Sequence, residues 1–175
     1  MSIPVEFSRP LAVDSVPPEG RSVQLLASPA ERRLLAGRLE LIDLPRLEGE
    51  VRVQPVEGTD AIHVAGHLSA DVVQSCVVTL DPVPAQVEAD FDRLFSRDVP
   101  AEADGEVEVD PEGEAPEPLV SGTLDLGEIL AQELSLAMDP YPRVADADQK
   151  LSELGGEGAD RQRSPFAALD ALRRH

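Results

Sequence analysis

The residues of this chain that could do chemistry begin with Cys76, its single cysteine. Three positions later, where a C-x-x-C metal motif would place its second thiol, stands Thr79. A structural zinc site needs four ligands, and one thiol does not supply them. Cys76 falls on the apolar parity of a predicted strand with Val72, and free cysteine behaves as a small hydrophobe. We therefore predict a buried, metal-free thiol; the alternatives are a remnant metal site and a redox-active thiol.

Two histidines, His63 and His67, are four positions apart. On a helix they would converge on one metal ion, but the surrounding residues alternate with a period of two. In a strand the two rings lie about 13 Å apart, which argues against a metal site. The sequence also lacks a G-x-S-x-G, P-loop or G-x-G-x-x-G motif. We predict no catalytic residue, cofactor, metal or small-molecule substrate; a hydrolase with an unrecognised carboxylate pair stays as an alternative.

Two charged residues interrupt apolar patterns. Arg93 follows Phe91 on the inward parity of a predicted strand, and Glu133 lies in the apolar stripe of a predicted helix. Because a buried charge needs a partner, the pair Arg93–Glu133 is a candidate ion pair between helix and sheet. The alternatives are a bulge or strand end at Arg93 and a Glu133 side chain that reaches solvent.

The elements that must position these residues begin with a short helix. Ser28 is a good N-cap, Pro29 suits the first helical position, and Glu31 completes a capping box. We predict a helix from Pro29 to about Leu35. The residues expected to face inward are Ala30, Leu34 and Leu35, with Arg32 and Arg33 in water.

Apolar and polar residues alternate through the middle of the chain. This pattern is typical of an antiparallel sheet with one solvent-exposed face. The inward residues predicted for three strands are Leu47, Val51 and Val53; Ile62, Val64, Leu68, Ala70, Val72 and Cys76; and Val87, Ala89 and Phe91. A capping box at Asp125 and Glu128 then starts a helix over 126–138. The expected apolar stripe of this helix is Leu126, Ile129, Leu130, Leu134 and Ala137. The fold class is α+β: a curled or partly barrel-like antiparallel sheet packed by this main helix plus short helices.

The chain is expected to form one domain over residues 1–143. Residues 98–118 hold nine acidic and no basic residues and are predicted to be a disordered insertion. Residues 144–163 are expected to be a flexible tail, and 164–175 a short C-terminal helix. The N-terminus shows no secretory signal and no stretch approaches 18 apolar residues, so we expect a cytoplasmic protein without a membrane partner.

The formal net charge is −19, from 34 acidic and 15 basic residues, and fourteen of the basic residues are arginine. Proteins that bind nucleic acid through its backbone normally present a basic surface, so this balance argues against simple nucleic-acid binding. It favours affinity for basic partners. Arginine suits bidentate contacts with phosphate, which keeps a local anion site as a hypothesis.

Several stretches in a fixed order resemble the YceD family of large ribosomal RNA subunit accumulation proteins. They are "HVAGHLSADVVQSCVVTLDPVPAQVEADFDRLF", the acidic insertion, "LDLGEILAQELSLAMDPYPR" and "SPFAALDALRR". The family often has C-x-x-C at Cys76 and Thr79, and some members carry further cysteines where this chain has "YPRVADADQK". The resemblance implies a cytoplasmic, non-catalytic protein needed for 23S ribosomal RNA accumulation or processing and for large-subunit assembly.

The sequence leaves two mechanisms open. In the first, an arginine patch contacts the 23S ribosomal RNA precursor. The candidate contacts are Arg32, Arg33, Arg38, Arg93, Arg97 and Arg143. In the second, the acidic insertion acts as a chaperone-like binding module that shields basic large-subunit ribosomal proteins before assembly.

Overall fold

A computed structural model of the chain describes residues 6–97 and 116–154. The chain divides into two compact units. The large unit comprises Met1–Gln74 and Pro84–Pro140, and the small unit comprises Ser75–Val83 and Tyr141–His175. The expected single domain over 1–143 is therefore divided, with its last residues in the small unit.

The strands, in chain order, are β1 (Pro10–Ala12), β2 (Arg21–Leu26), β3 (Asp43–Pro55), β4 (Ala61–Ser75), β5 (Pro82–Ser96), β6 (Glu117–Pro118) and β7 (Thr123–Asp125). Five of them form one sheet in the order β2-β3-β4-β5-β6, and β1 pairs with β7 in a separate two-stranded sheet. β2, β3 and β4 pair antiparallel, whereas β6 joins β5 in parallel. The predicted α+β class is confirmed. The sheet has open edges at β2 and β6, so it does not close into a barrel.

The alternation in β3 and β4 produces the buried face that the sequence predicts. Leu47, Val51 and Val53 are fully buried, and the inward residues of β4 are buried as well. Val51 lies opposite Gly66, where an added Cβ would lie 2.8 Å from the carbonyl oxygen of Glu50 and collide with the Phe91 ring. Glycine here lets an aromatic ring pack directly on the strand backbone.

Helix α1 (Pro29–Arg38) begins as predicted, with a complete capping box between Ser28 and Glu31. Its inward face was predicted wrongly in part. Leu35 and Ala36 are buried, whereas Ala30 is exposed and the Leu34 side chain is 58% exposed. Ala30 and Leu34 are four residues apart and share one side of the helix, which faces solvent, whereas the side with Leu35 and Ala36 faces the core.

Helix α2 (Leu126–Ala137) packs on the buried face of the sheet. The Asp125 carboxylate caps it by accepting hydrogen bonds from the backbone N–H groups of Gly127 and Glu128. The buried residues of α2 are Leu126, Gly127, Ile129, Leu130, Ala131 and Leu134, whereas Ala137, which was expected inward, is exposed. An added Cβ at Gly49 of β3 would lie 2.7 Å from Leu130 Cδ1, so glycine permits this close approach.

Two boundaries of the expected disordered regions were wrong. Glu117 and Pro118, assigned to the insertion, form β6 and pair with Phe95 and Ser96. Part of the expected tail forms helix α3 (Ala147–Leu154), in which Ala147 is buried. The sequence did not indicate β6 because a strand of two residues is too short to show a periodic pattern. It did not indicate α3 because a single buried alanine gives only a weak apolar pattern. The rest of the predicted insertion and the predicted helix over 164–175 lie outside the described residues.

None of the helices in the described part of the chain combines the length and apolarity needed to cross a bilayer.

Candidate functional site

The structure brings Arg93 and Glu133 together, as the sequence predicts, but it adds a closer partner. Arg93 Nη1 lies 3.5 Å from Glu133 Oε1 and 3.0 Å from Gln132 Oε1. Arg93 Nε donates to Glu117 Oε1 at 2.6 Å, and Nη2 pairs with the other oxygen of the same carboxylate. The guanidinium carbon also lies 5.1 Å from the centre of the Phe95 ring. The hydrogen bond with Glu117 raises the pKa of Arg93 most, against the effect of burial.

This arrangement joins three elements, because Arg93 belongs to β5, Glu117 to β6 and Glu133 to α2. The side chains of Arg93 and Glu133 are each 16% exposed. Sequence reasoning missed Glu117 because it assigned this residue to the acidic insertion. The guanidinium of Arg93 is therefore engaged by carboxylates inside the fold.

Arg38 at the end of α1 is engaged in the same way. Its Nη1 and Nη2 donate to the two oxygens of Glu128 at 2.7 Å and 2.6 Å, and Nη1 also lies 3.2 Å from Glu6 Oε2. This bidentate pair lowers the pKa of Glu128 and raises that of Arg38. Glu128 thus connects α2 to α1 rather than completing the predicted capping box.

The other candidate RNA contacts differ in their surroundings. Arg97 Nη2 lies 2.6 Å from Asp14 Oδ1, and in the small unit Arg143 Nη2 lies 3.0 Å from Asp148 Oδ1. Arg32 Nη1 donates to the Ala27 carbonyl oxygen at 2.8 Å. Arg33 is exposed on α1.

The polar face of the sheet carries a side-chain ladder between β4 and β5 that sequence reasoning did not assemble. His67 Nδ1 lies 2.8 Å from Asp90 Oδ1, and its Nε2 lies 2.9 Å from Glu88 Oε2. The Ser69 hydroxyl donates to the other oxygen of Glu88 at 2.9 Å. The outward parity of the residues was visible in the sequence, but their pairing depends on the register between the two strands.

The chemistry of this ladder is that of ion pairing. Both ring nitrogens of His67 face carboxylates, and Ser69 donates to Glu88 rather than to the imidazole, so His67 is not placed to take a proton from the Ser69 hydroxyl. The hydrogen bonds with Asp90 and Glu88 raise the pKa of His67. Those from Ser69 and His67 lower the pKa of Glu88. These hydrogen bonds favour the charged form of the Glu88 carboxylate.

The ladder continues along the sheet in both directions. His63 Nε2 lies 2.7 Å from both oxygens of Asp92, and Arg46 Nε donates to Asp71 Oδ2 at 3.0 Å. On the polar face of β3, β4 and β5 the acidic side chains are Glu48, Glu50, Asp71, Glu88, Asp90 and Asp92; the arginines are Arg46 and Arg52. Six carboxylates against two guanidinium groups leave this surface, which we call the acidic face, with an excess of negative charge.

Cys76 lies in the small unit and is fully buried, which confirms the predicted burial. The backbone N–H of Thr79 points at Cys76 Sγ from 3.5 Å. Burial raises the pKa of the thiol, but hydrogen bonds from the Thr79 side chain and from the backbone around Val144, Thr79 and Val78 outweigh it and lower the pKa to about 7. The residue in the place of a second thiol therefore serves as a hydrogen-bond donor to the first.

Comparison with known proteins identifies the family of this chain. The model of the family described as "Large ribosomal RNA subunit accumulation protein YceD" matches residues 64–173, more than half of the chain. No curated protein and no solved structure matches the chain. The match includes most of the β4–β5 ladder, Cys76 and all of α2. The chain therefore belongs to the YceD family, which is named for the accumulation of large-subunit ribosomal RNA.

Proposed function

We propose that this protein supports 23S ribosomal RNA accumulation and large-subunit assembly in the cytoplasm without catalysing a reaction. We further propose that it works through a basic protein partner, such as a large-subunit ribosomal protein, rather than by gripping RNA phosphates. The family membership supports the pathway. The observation that carries the mechanism is that four of the six candidate RNA-binding arginines, Arg38, Arg93, Arg97 and Arg143, are paired with carboxylates within the fold.

Arg38 and Arg93 show what direct RNA binding would require. Each guanidinium donates to a carboxylate through two nitrogens and approaches a second carboxylate. A phosphate would have to displace these carboxylates and leave them close to its own charge. The net charge of −19 adds repulsion of RNA at long range.

A basic protein would be attracted, rather than repelled, by this negative charge. The acidic face offers four more carboxylates than arginines, and residues 98–115 add eight acidic residues. Ribosomal proteins carry lysines and arginines that bind RNA in the finished subunit. Carboxylates that occupy those cationic groups before assembly would keep them from unspecific contacts and release them to RNA, whose charge density is higher.

The proposal is tested by recovering the tagged protein from cells with and without nuclease treatment. We expect basic large-subunit proteins to be retained after nuclease. Neutralising the acidic face by Glu88→Gln, Asp90→Asn and Asp92→Asn should reduce their retention and its salt dependence. The matched control is Glu19→Gln and Glu57→Gln, which neutralises exposed carboxylates in loops outside the acidic face.

Direct RNA binding makes the contrary prediction. The exposed Arg33 and its neighbour Arg32 are then the residues that matter, and Arg32→Ala with Arg33→Ala should weaken binding to all RNA sequences alike. Binding of the isolated protein to 23S fragments more tightly than about 1 μM at physiological salt, lost in this variant, would refute the protein-mediated mechanism. An unchanged ratio of 23S to 16S ribosomal RNA in a deletion strain would refute the pathway itself.

A further inference from the structure

The small unit exposes large apolar side chains. Leu80 is 76% exposed, and Val77 and Leu151 are each 51% exposed. We call these three residues the apolar patch. Single exposed apolar residues are common on proteins, but three exposed aliphatic residues in so small a unit are a candidate contact surface.

Two polar contacts connect the segments that carry the apolar patch. The backbone N–H of Val77 donates to the Pro142 carbonyl oxygen at 2.9 Å. Lys150 Nζ lies 2.8 Å from Asp81 Oδ2, which joins α3 to the residue after Leu80. Leu151 follows Lys150 directly. The turn with Val77 and Leu80 and the helix with Leu151 are thus adjacent.

The backbone at Leu80 is also strained. Leu80 has a φ of 63°, in the left-handed region that disfavours residues other than glycine and asparagine. The turn is closed by the Leu80 N–H, which donates to the Cys76 carbonyl oxygen, and by the Cys76 N–H, which donates to the Asp81 carbonyl oxygen, both at 2.9 Å. A leucine here combines backbone strain with an exposed apolar side chain. A segment that binds over the Leu80 side chain would bury its apolar surface, and the free energy gained would offset the backbone strain.

The charges of the small unit indicate the chemistry of that segment. The acidic residues in its described part are Asp81, Asp146, Asp148 and Glu153, and the basic residues are Arg143 and Lys150. This surplus of two negative charges favours a segment that combines apolar side chains with arginines.

We propose that the apolar patch binds the chain's own C-terminal segment, residues 164–175. In that segment Phe166, Leu169 and Leu172 recur at helical spacing, and Arg173 and Arg174 follow them. It therefore offers an apolar stripe with positive charge at one end, which matches the apolar patch and its acidic surroundings.

The residues between α3 and the C-terminal segment are numerous enough to let that segment reach the apolar patch. Nine residues separate the end of α3 at Leu154 from Ser164, and a chain of nine residues reaches at most about 30 Å. A short tether of this kind gives an effective concentration in the millimolar range, so a weak contact suffices for binding.

Amide hydrogen exchange of the full-length protein tests the proposal from both sides. Phe166→Ser with Leu169→Ser should speed exchange in 76–81 and in α3 and leave β3 unchanged. Asp170→Asn, in the same segment but off the apolar stripe, is the matched control and should have no effect. Conversely, Leu80→Asn should speed exchange within 164–175 about tenfold, because an apolar contact is lost.

Leu80→Asn preserves the turn, since asparagine suits a φ of this sign, so a misfolded small unit does not explain the result. Its control is Leu136→Gln, which changes an 80% exposed leucine of α2 in the large unit. Protection of 164–175 that survives Leu80→Asn would overturn the proposal. So would protection that disappears on dilution, which identifies a second copy as the occupant, and so would a segment that exchanges at the free rate in the unaltered protein.

Discussion

Arg93 and Glu117 form a two-point ion pair that connects β5 to β6, the strand formed where the described chain resumes at residue 116. Glu133 approaches the same guanidinium from α2 but makes a single, longer contact of 3.5 Å. The position where a charge breaks the apolar pattern of a strand is therefore the position where three elements meet.

Glu117→Ala should destabilise the protein more than Glu133→Ala. It removes a charge-assisted contact to two nitrogens and leaves Arg93, which is 16% exposed, with one distant carboxylate. Since the Glu117 side chain is 43% exposed, we expect a cost of about 1–2 kcal/mol rather than that of a fully buried pair. Urea unfolding of the two variants and of each combined with Arg93→Ala measures this. Equal costs would show that the two contacts contribute alike.

Replacing residues 98–115 by a short Gly/Ser linker should leave the thermal midpoint within about 3 °C, because the linker keeps β6 and Glu117. Extending the replacement through Pro118 should lower the midpoint by about 5 °C or more, since it removes the partner of Arg93. Differential scanning calorimetry of both variants makes the comparison. A loss of cooperative unfolding in the shorter replacement would show that 98–115 belongs to the core.

Gly66→Ala should cost about 1–3 kcal/mol, because its Cβ would overlap the Phe91 ring and approach the Glu50 carbonyl oxygen. Gly37→Ala is the matched control. It lies in α1 with nothing within 4 Å of an added Cβ, so it should stabilise the protein by about 0.5–1 kcal/mol. Chemical denaturation of the two variants should give free-energy changes of opposite sign.

Cys76 should react slowly with thiol reagents although its pKa is lowered to about 7. At pH 8 most of the thiol would be thiolate, but full burial restricts the reaction to moments when the small unit opens. We expect labelling about 100-fold slower than in urea. Leu136→Cys supplies an exposed reference thiol in the same molecule, and equal labelling of both sites in the native protein would disprove the burial of Cys76.

His67 should contribute a pH-dependent stability with a definite sign. Asp90 and Glu88 raise its folded-state pKa above the ordinary 6.5, so the contribution is complete below that pH and is lost as the pH rises through the folded value. Nuclear magnetic resonance titration of the imidazole should show the raised pKa. Glu88→Gln with Asp90→Asn should return it to about 6.5. An unchanged pKa in that variant would mean that the carboxylates do not act on the ring.

The alternation of the sheet and both helix starts were predictable from the sequence. Leu47, Val51 and Val53 share a face because a strand turns by half a rotation per residue, and Ser28 caps α1 because its own side chain reaches Glu31 N–H. These outcomes depend on backbone geometry within a few residues. The predicted burial of Cys76 is correct, although Cys76 lies just beyond the end of β4 and is buried within the small unit.

Only the tertiary structure decided which charges meet. Arg93 pairs chiefly with Glu117 rather than Glu133, Arg38 pairs with Glu128, and His67 lies between Asp90 and Glu88. An ion pair depends on strand register and on how distant elements pack, and the sequence pattern around one charge contains neither. The same reason applies to the candidate arginine contacts: the sequence determined that arginines are present, whereas the packing of the chain determined that carboxylates pair with Arg38, Arg93, Arg97 and Arg143.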